Sequence, residues 1–270
     1  MSQQSESRAR RIDPEIPIRI GCAGWTIPAA HRATFPPDGT HLEHYSGVFS
    51  SVEINSSFYR PHRRQTYARW AESVGPDFAF SVKVPREITH EYCLADCGAL
   101  VEEFLQQVSG LGDKLGALLV QLPASFAFDP GTARQFFREF RRGYSGALVC
   151  EPRSATWFSQ EADELLAEHR VDRVAADPAP VPSASEPAPW SELAYFRLHG
   201  SPRMYYSEYS PAWLEALAAR VREWVARGRA TWCIFDNTAL EAATPNALAL
   251  AKLLNLSGGR SVPEKRRGTR

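Results

Sequence analysis

The sequence predicts an α/β protein folded as a single eight-stranded (β/α)8 barrel. Eight short apolar runs alternate with longer segments of helical spacing, and this alternation implies parallel strands joined by crossovers. The length of 270 residues suits one barrel, which typically needs about 250 residues. An open doubly wound sheet is the alternative. It is less favoured because no GxGxxG sequence follows the first apolar run and no GxxxxGK followed by Ser or Thr occurs.

The predicted strands are apolar runs of strand length that are rich in β-branched and aromatic residues. In chain order they are residues 18–22, 51–54, 78–84, 117–121, 147–151, 171–177, 194–199 and 231–236. Four segments between them repeat apolar side chains every three and four residues, as in a helix that covers a sheet. These predicted helices are residues 98–111, 132–141, 159–169 and 211–227. The barrel domain spans residues 18–257, between a disordered leader at 1–17 and a basic tail at 258–270.

Two connections are expected to be more than simple turns. Residues 200–209 form a long polar and aromatic segment, which we interpret as a lid or a substrate-binding loop. Residues 179–189 are rich in proline and are predicted to form an exposed, stiff loop rather than a linker between domains.

The charge balance argues against a nucleic-acid-binding or membrane-surface protein. Lys+Arg and Asp+Glu are equal at 31 each, so no overall field attracts polyanions. Basic clusters near both ends are interpreted as solvated termini, with a grip on nucleic acid as the alternative. No apolar run approaches the roughly 20 residues of a membrane span, and the start has no signal-peptide pattern. The five scattered cysteines are expected to be reduced thiols, which predicts a cytoplasmic protein.

Polar or ionisable side chains stand at the carboxyl end of almost every predicted strand. They are Glu53, Asn55, Lys83, Gln121, Glu151, Asp177, Arg197, His199, Asp236 and Asn237. In a barrel these strand ends open on one face, where such enzymes carry their active sites. Charges in a partly desolvated mouth need partners, so the cations are expected to neutralise the carboxylates. The sequence therefore predicts one polar, enzyme-like site, with a purely structural salt-bridge network as the alternative.

Seven motifs, in this order, resemble the DUF72 (YecE-like) family over about residues 18–255. They are GCAGW from Gly21, VEINSSFY from Val52, FSVKVPR from Phe80 with ITH from Ile88, QLPASF from Gln121, EPR from Glu151 with Trp157, RLHG from Arg197, and FDNT from Phe235 with Asn246. The resemblance implies a TIM-barrel-like fold and assigns no activity. The chain departs from the family at Ser154, where members usually carry His directly after Glu-Pro-Arg. That departure puts in doubt any mechanism that needs a second histidine there.

The residues expected to act on a substrate fall into two groups. The candidate catalytic residues are Glu53, Lys83, Glu151, Asp177 and His199. The candidate substrate-binding residues are Asn55, Tyr59, Arg86, Gln121, Arg153, Arg197, Tyr209, Asp236 and Asn237. Two carboxylates with different pKa values can serve as acid and base on a sugar, and a histidine can do so near neutral pH. Arginines bind phosphate and carboxylate groups through paired hydrogen bonds.

The sequence therefore predicts an enzyme that acts on a small polar substrate, sugar-like or phosphorylated, without a cofactor. A divalent metal is less favoured because His199 is the only histidine in the set and the nearby cations would compete with the ion. A Schiff base on Lys83 is also less favoured, since it needs a lowered pKa. The alternatives from other classes are a nucleic-acid-binding or repair barrel and a metabolite-binding protein without catalysis. The expected partner is a small anionic or sugar-like molecule, with nucleic acid less favoured and no membrane partner.

Overall fold

The structure, a computed structural model, describes residues 16–190 and 192–256 and is a mixed α/β fold. Its strands are β1 (Ile18–Cys22), β2 (Ser51–Ile54), β3 (Ala79–Lys83), β4 (Leu115–Gln121), β5 (Leu148–Glu151), β6 (Val171–Arg173), β7 (Ala175–Asp177), β8 (Ala188–Pro189), β9 (Leu193–Leu198) and β10 (Ala230–Phe235). All eight predicted strands are found, but the sixth is divided into β6 and β7. The two-residue strand β8 lies in the proline-rich segment, which is not entirely loop. Most of the predicted leader and all of the basic tail lie outside the described residues.

The helices lie mainly between consecutive strands of the chain. They are α1 (His41–Ser46), α2 (Ser56–Tyr59), α3 (Arg64–Glu72), α4 (Gly98–Val108), α5 (Pro130–Gly143), α6 (Gln160–Glu168), α7 (Pro211–Ala226) and α8 (Ala243–Leu253). The four predicted helices are confirmed as α4 to α7, with ends that differ by a few residues. Within the described ranges, no helix is long and apolar enough to cross a membrane.

Four helices escaped the search for apolar periodicity because they are short or bury small and polar residues. Helix α1 has six residues, and α3 buries one side chain, that of Tyr67. The start of α1 does carry a sequence signal: Thr40 accepts a hydrogen bond from the Glu43 backbone, and the Glu43 side chain accepts one from Thr40. This capping box satisfies two backbone donors that the first helical turn leaves free.

The strands form two parallel sheets. One has the order β1-β10-β9-β7, and the other has the order β2-β3-β4-β5-β6-β8. Every pairing is parallel except that of the short β8, which runs antiparallel to β6. The pattern departs from the single continuous ring that the sequence predicts, and the departure occurs at two places.

The first place lies between β1 and β2, where a tyrosine hydroxyl replaces ladder bonds. The fully buried Tyr45 accepts a hydrogen bond from Cys22 N at 2.7 Å and donates one to Ser51 O at 3.1 Å. Beyond this tyrosine, a single parallel bridge joins Ala23 to Glu53. The two strands are therefore neighbours that are held by a side chain and a bridge rather than by a continuous ladder.

The second place lies within the predicted sixth strand, which changes partners along its length. Strand β6 pairs with β5, and Val174 N still donates to Cys150 O at 2.8 Å. Strand β7 pairs instead with β9. The segment 171–177 thus belongs to one sheet in its first half and to the other in its second half.

An apolar layer between the two sheets forms the floor beneath the polar strand ends. Its members are Ala79, Ala117, Leu119, Val149, Val174, Leu193, Tyr195, Trp232 and Ile234. They come from strands of both sheets, so the inward side chains of the sheets pack on each other. Trp232 stacks on Tyr195 with ring centroids 5.8 Å apart. The absence of a side chain at Gly116 makes space for the Trp232 ring, because a Cβ at position 116 would lie 2.5 Å from that ring. A larger apolar cluster packs the strands against the helices.

Gly21 is expected to be necessary for the close approach of β1 to β2. A Cβ at this position would lie 2.0 Å from Ser51 O, a backbone atom that cannot move without separating the strands. We therefore expect Gly21→Ala to lower the free energy of unfolding by about 2–3 kcal/mol, measured by urea denaturation. Gly131→Ala is the control, because a Cβ there meets Asp129 Oδ1 at an ordinary 3.5 Å. Equal stabilities of the two variants would contradict the steric argument.

Candidate functional site

The carboxyl ends of the strands bring a buried arginine together with three carboxylates. Arg197 on β9 is fully buried, and its Nε donates to the two oxygens of Glu53 at 3.1 and 3.0 Å. Its Nη2 lies 2.7 Å from Glu53 Oε1 and 2.9 Å from Asp236 Oδ2. Its Nη1 lies 3.1 Å from Glu151 Oε2. We call these four residues, together with His199, the Arg197 network.

His199 bridges two carboxylates of the Arg197 network. Its Nε2 lies 2.8 Å from Glu151 Oε1, and its Nδ1 lies 3.1 Å from Asp236 Oδ2. A neutral imidazole donates from one nitrogen only, whereas the imidazolium donates from both. Burial opposes the charged form, but the charge of Glu151 and the hydrogen bonds to both carboxylates raise the pKa of His199. The geometry therefore favours a protonated His199.

The same contacts keep two of the carboxylates ionised. Burial by itself would raise the pKa of Glu151, but the charges of His199 and Arg197 lower this pKa well below its usual range. Burial likewise opposes ionisation of Asp236, and Arg197 together with the hydrogen bond from His199 lowers its pKa. In this arrangement neither carboxyl group is a proton donor at neutral pH.

We expect His199→Gln to lower the free energy of unfolding by about 1.5–3 kcal/mol at mildly acidic pH, because hydrogen bonds to charged groups are lost. The folded-state pKa of His199 is raised above its ordinary value of 6.5. The stabilisation by the charged ring is therefore complete below pH 6.5 and is lost as the pH rises through the raised pKa. Denaturation of both proteins across this range should show their stabilities converging at alkaline pH. A difference that grows with pH would contradict the charged assignment.

Lys83, at the end of β3, forms no ion pair in the part of the chain that the structure describes. Its side chain is nearly buried, and its Nζ lies over the Phe58 ring, 3.9 Å from the centroid. Burial and then the charge of Arg197 lower the pKa of Lys83 to about 8. The Arg197 network occupies the carboxylates that would otherwise pair with this ammonium group.

His90 packs edge-on against the same Phe58 ring, with centroids 5.0 Å apart. Its Nδ1 lies 2.9 Å from Thr89 Oγ1, and that hydroxyl donates to Pro85 O at 3.2 Å. A hydroxyl has one proton to donate, so Thr89 accepts from Nδ1–H, and Nε2 of the neutral ring keeps a lone pair. Burial and then the charge of Lys83 lower the pKa of His90, which favours this neutral form.

Arg153 lies on the more accessible side of the Arg197 network, whereas Gln121 is nearly buried beside Glu151. Arg153 Nη1 lies 3.2 Å from Glu151 Oε1 and 3.4 Å from Pro178 O, and the arginine side chain is 17% exposed. Gln121 ends β4 in register with Glu151 and keeps 9% of its surface exposed. Arg153 is the more exposed of the two side chains, and Gln121 is nearly buried.

Asp177 and Tyr209 bind each other rather than joining the Arg197 network. The buried Tyr209 hydroxyl lies 2.8 Å from Asp177 Oδ1 and accepts a hydrogen bond from Gly200 N at 2.8 Å. In the same loop, the half-exposed Tyr205 places its ring edge-on to His199, with centroids 5.6 Å apart. Residues 200–209 thus cover one side of the network, and Asp177 anchors this loop.

Asn237 also holds the loop and does not contact the Arg197 network. Its Nδ2 donates to Ser207 O and to Asn246 Oδ1, both at 2.9 Å. Asn246 Oδ1 in turn accepts a hydrogen bond from Tyr209 N at 3.1 Å. These bonds join the loop after β9 to helix α8 through Nδ2 of Asn237, the residue expected to bind substrate.

Three further residues of the predicted site lie outside the network. Tyr59 is 76% exposed and packs edge-on against Phe58, with centroids 4.9 Å apart. Arg86 is half exposed and pairs with Glu91 at 2.6 Å. Asn55 precedes α2, and its buried Oδ1 has no hydrogen-bond partner among residues 16–190 and 192–256. The structure therefore groups the charged strand ends closely and leaves these three at the edge.

The site also contains a buried layer that the sequence analysis missed. The Tyr195 hydroxyl lies 3.0 Å from Glu53 Oε2 and 2.9 Å from Ser81 Oγ. Strand alternation could have found both residues, because Tyr195 and Ser81 stand two positions before Arg197 and Lys83 and share their faces. They were passed over because they lie in the middle of apolar runs.

The Arg197 network does not form a metal site in the described part of the chain. No group of three or more His, Cys, Asp and Glu residues there is arranged to hold a metal ion. The oxygens of Glu53 face the guanidinium of Arg197, so a cation at this point would have to displace the arginine.

The sequence matches the family described as "Protein of unknown function DUF72" over residues 19–268. A curated relative, the UPF0759 protein YecE of Escherichia coli K12, is 33% identical over 172 residues. That match covers 62% of this chain and 61% of the relative, so it spans less than two thirds of the relative's length.

Two solved structures resemble the fold over most of the chain. A DUF72 family protein from Thermotoga maritima MSB8 is 26% identical with a TM-score of 0.74, over 88% of this chain and 99% of that one. Another from Enterococcus faecalis V583 is 21% identical with a TM-score of 0.73, over 92% and 99%. The second likeness concerns the fold alone. Since the family match runs from the first strand past the last described helix, the chain belongs to the DUF72 family.

Proposed function

We propose that this DUF72 protein is an enzyme acting on a small polar substrate that carries an anionic group and is sugar-like or phosphorylated. The observation that carries the proposal is the state of Lys83. Its ammonium group is nearly buried and has no ion pair in the described ranges, beside a network whose carboxylates are all engaged. A buried charge without a partner costs stability, and such costs are concentrated at functional sites.

The charged groups around Lys83 carry one positive charge in excess, which an anion could neutralise. The network and its accessible side contain the carboxylates Glu53, Glu151 and Asp236 and the cations Arg153, Arg197 and protonated His199. These charges balance, and the ammonium group of Lys83 is the surplus. A phosphate or carboxylate of the substrate would supply its counter-charge in a site of low dielectric constant, where the attraction is strong.

In this proposal Lys83 contacts the substrate and transfers protons, because a pKa of about 8 lies close to neutral pH. Arg153, which is partly exposed, and Gln121, which neighbours Glu151, orient the substrate. The acid and base roles expected of Glu53, Glu151 and His199 would require the network to open on binding. In its closed form the carboxylates of the network hold Arg197 in place, and the charge of Arg197 lowers the pKa of Lys83. Asp177 contributes by anchoring the loop over His199.

We also propose that the two sheets are the halves of one closed eight-stranded barrel. Support comes from the bridge between Ala23 and Glu53, which joins β1 to β2, and from segment 171–177, which belongs to both sheets. Arg197 of one sheet binds Glu53 and Glu151 of the other, as expected of residues that face a common lumen. The site would then lie at the carboxyl-end mouth, where barrel enzymes act.

A cytoplasmic location is part of the same proposal. All five cysteines have free thiols, and four of them are buried. Burial raises the pKa of Cys22 to about 12, which keeps its thiol protonated and unreactive. Unpaired cysteines of this kind are typical of proteins in a reducing compartment.

A thermal-shift screen of phosphorylated sugars, sugar acids and short organic acids tests the proposed function, followed by turnover assays on each binder. We expect at least one compound to raise the Tm of the wild type but not that of Lys83→Met, and to be converted. Lys252→Met is the matched control, because Lys252 is exposed on α8. An equal response of Lys83→Met would refute the proposal, as would binding without turnover or no response to any anion.

A further inference from the structure

We infer that Lys83 is a nucleophile that forms a Schiff base with the carbonyl group of an anionic substrate. The inference rests on the proposed function and names its substrate class, a carbonyl compound with a phosphate or carboxylate group. Three features of the site lead to it: the apolar ring against the amine, the lack of acceptors around the amine, and a basic histidine nitrogen beside the same ring.

The surroundings of Lys83 give it a larger neutral fraction at neutral pH than an ordinary lysine has. The Phe58 ring covers Nζ at 3.9 Å from its centroid, and Phe58 itself is buried. The three carboxylates nearby are turned toward Arg197 instead of Lys83. Enzymes activate a nucleophilic lysine by these two means, desolvation against apolar surface and proximity to another cation. Burial and the charge of Arg197 accordingly lower the pKa of Lys83 to about 8.

A second lysine of the same chain provides an internal comparison. Lys114 donates hydrogen bonds from Nζ to the backbone carbonyls of Gly75 and Pro76. Lys114 is thus supplied with two backbone acceptors. Lys83 Nζ has neither a hydrogen bond nor an ion pair within the described residues, so its environment is arranged differently.

His90 provides a base for the proton transfers that a Schiff base requires. Thr89 accepts the Nδ1 proton of His90 because the Thr89 hydroxyl donates to Pro85 O, which leaves the lone pair on Nε2. Both His90 and Lys83 contact the Phe58 ring. We assign His90 Nε2 the role of accepting a proton from the amine nitrogen and returning it to the substrate oxygen.

The step balances without a further reactant. The lone pair of the neutral Lys83 nitrogen attacks the carbonyl carbon, a C–N bond forms, and the π electrons move to oxygen. A proton passes from nitrogen to that oxygen through His90, which gives a carbinolamine. The nitrogen lone pair then expels the hydroxyl group. Overall, the two amine hydrogens and the carbonyl oxygen leave as one water molecule, and C=N replaces C=O.

Borohydride trapping with pyruvate and dihydroxyacetone phosphate, followed by peptide mass spectrometry, tests this inference. The chain contains four lysines, Lys83, Lys114, Lys252 and Lys265, so each site of reaction can be assigned. Reduction of the imine adds the mass of the probe less one oxygen atom. At pH 7 an amine of pKa about 8 has a neutral fraction about 300-fold above that of an ordinary lysine. We therefore expect Lys83 to be labelled roughly 10–100-fold more than Lys252.

Labelling of Lys83 should require borohydride and should increase as the pH approaches 8. The label should be absent from Lys83→Arg, whereas Lys83 should be labelled to the wild-type extent in Lys252→Arg. His90→Gln should slow trapping about tenfold while the rise of labelling toward pH 8 is unchanged, whereas altered packing around Lys83 would shift that pH dependence. Equal labelling of all lysines would overturn the inference, as would no adduct from either probe. If anions still raise the Tm of the wild type and not of Lys83→Met, only the Schiff base fails. If no anion does so, the proposed function fails as well.

Discussion

Replacing Arg197 with methionine is expected to lower the free energy of unfolding by about 3–5 kcal/mol, the usual cost of removing one partner of a buried ion pair. The guanidinium is the shared counter-ion of Glu53, Glu151 and Asp236, and all four side chains are buried. Since a domain is stable by about 5–15 kcal/mol, this loss would remove between about a fifth and all of its stability. Urea denaturation at neutral pH measures the difference. The free energy of unfolding of Arg197→Lys should lie between those of the wild type and Arg197→Met, because an ammonium group keeps the charge but cannot make the paired contacts with Glu53.

Arg86→Met is the matched control for the loss of a salt bridge. The pair between Arg86 and Glu91 has a short distance of 2.6 Å, but both side chains are about half exposed, so we expect a loss below about 1 kcal/mol. In Arg197→Met the buried carboxyl groups should have raised pKa values. As the pH falls, these carboxyl groups become protonated and no longer leave a buried charge without a partner. The difference in free energy of unfolding between Arg197→Met and the wild type should therefore become smaller under acidic conditions. Equal losses for the two variants would contradict the assignment of Arg197 as the buried counter-ion.

Lys83→Met is expected to have the opposite effect on stability while it abolishes substrate binding. The pKa of Lys83 is lowered from 10.5 to about 8 in the folded protein, and each pKa unit corresponds to about 1.4 kcal/mol. Methionine fills a similar volume against Phe58 without a charge to desolvate. We therefore expect a gain of about 1–3 kcal/mol at neutral pH together with complete loss of the ligand response.

The pH dependence of this gain has a definite sign. The folded-state pKa of Lys83 lies below its unfolded value, so the unfolded chain binds more protons between pH 8 and 10.5. The stability contributed by this group therefore rises with pH across that window. The stability of Lys83→Met lacks this pH dependence. The free energy of unfolding of the variant should therefore exceed that of the wild type by the full amount below pH 8, and the difference should vanish toward pH 10.5. A wild type without the slope, or a variant that is less stable at neutral pH, would contradict the desolvated amine.

Several elements of the site follow from local sequence pattern. The polar residues at the strand ends could be located because a strand alternates its faces and the apolar runs have strand length. Arg197 and His199 share a face by this rule, and Glu53 stands next to the end of the run 51–54. The same rule places Tyr195 and Ser81 on the faces of Arg197 and Lys83, within the apolar part of the strands.

Other elements could not be found by any local pattern. Tyr45 lies on α1, yet its hydroxyl bonds to β1 and β2 and replaces part of their ladder. Phe58 and His90 lie outside the strands and meet at Lys83. Asp177 stands at a strand end like the others but binds Tyr209, 32 residues along the chain. Each of these pairings depends on how separate elements pack, which residue spacing does not encode.

The sequence by itself determined the alternation of strands and helices, the carboxyl-end position of the charged residues, and the resemblance to a family. These features depend on side-chain periodicity and residue identity, which are local. Only the tertiary structure decided which cation pairs with which carboxylate. Arg197 binds three carboxylates, His199 bridges two of them, and Lys83 is left unpaired in the described chain. The physical reason is that pairing depends on distances of about 3 Å and on desolvation, and both are set by strand register and packing across the two sheets.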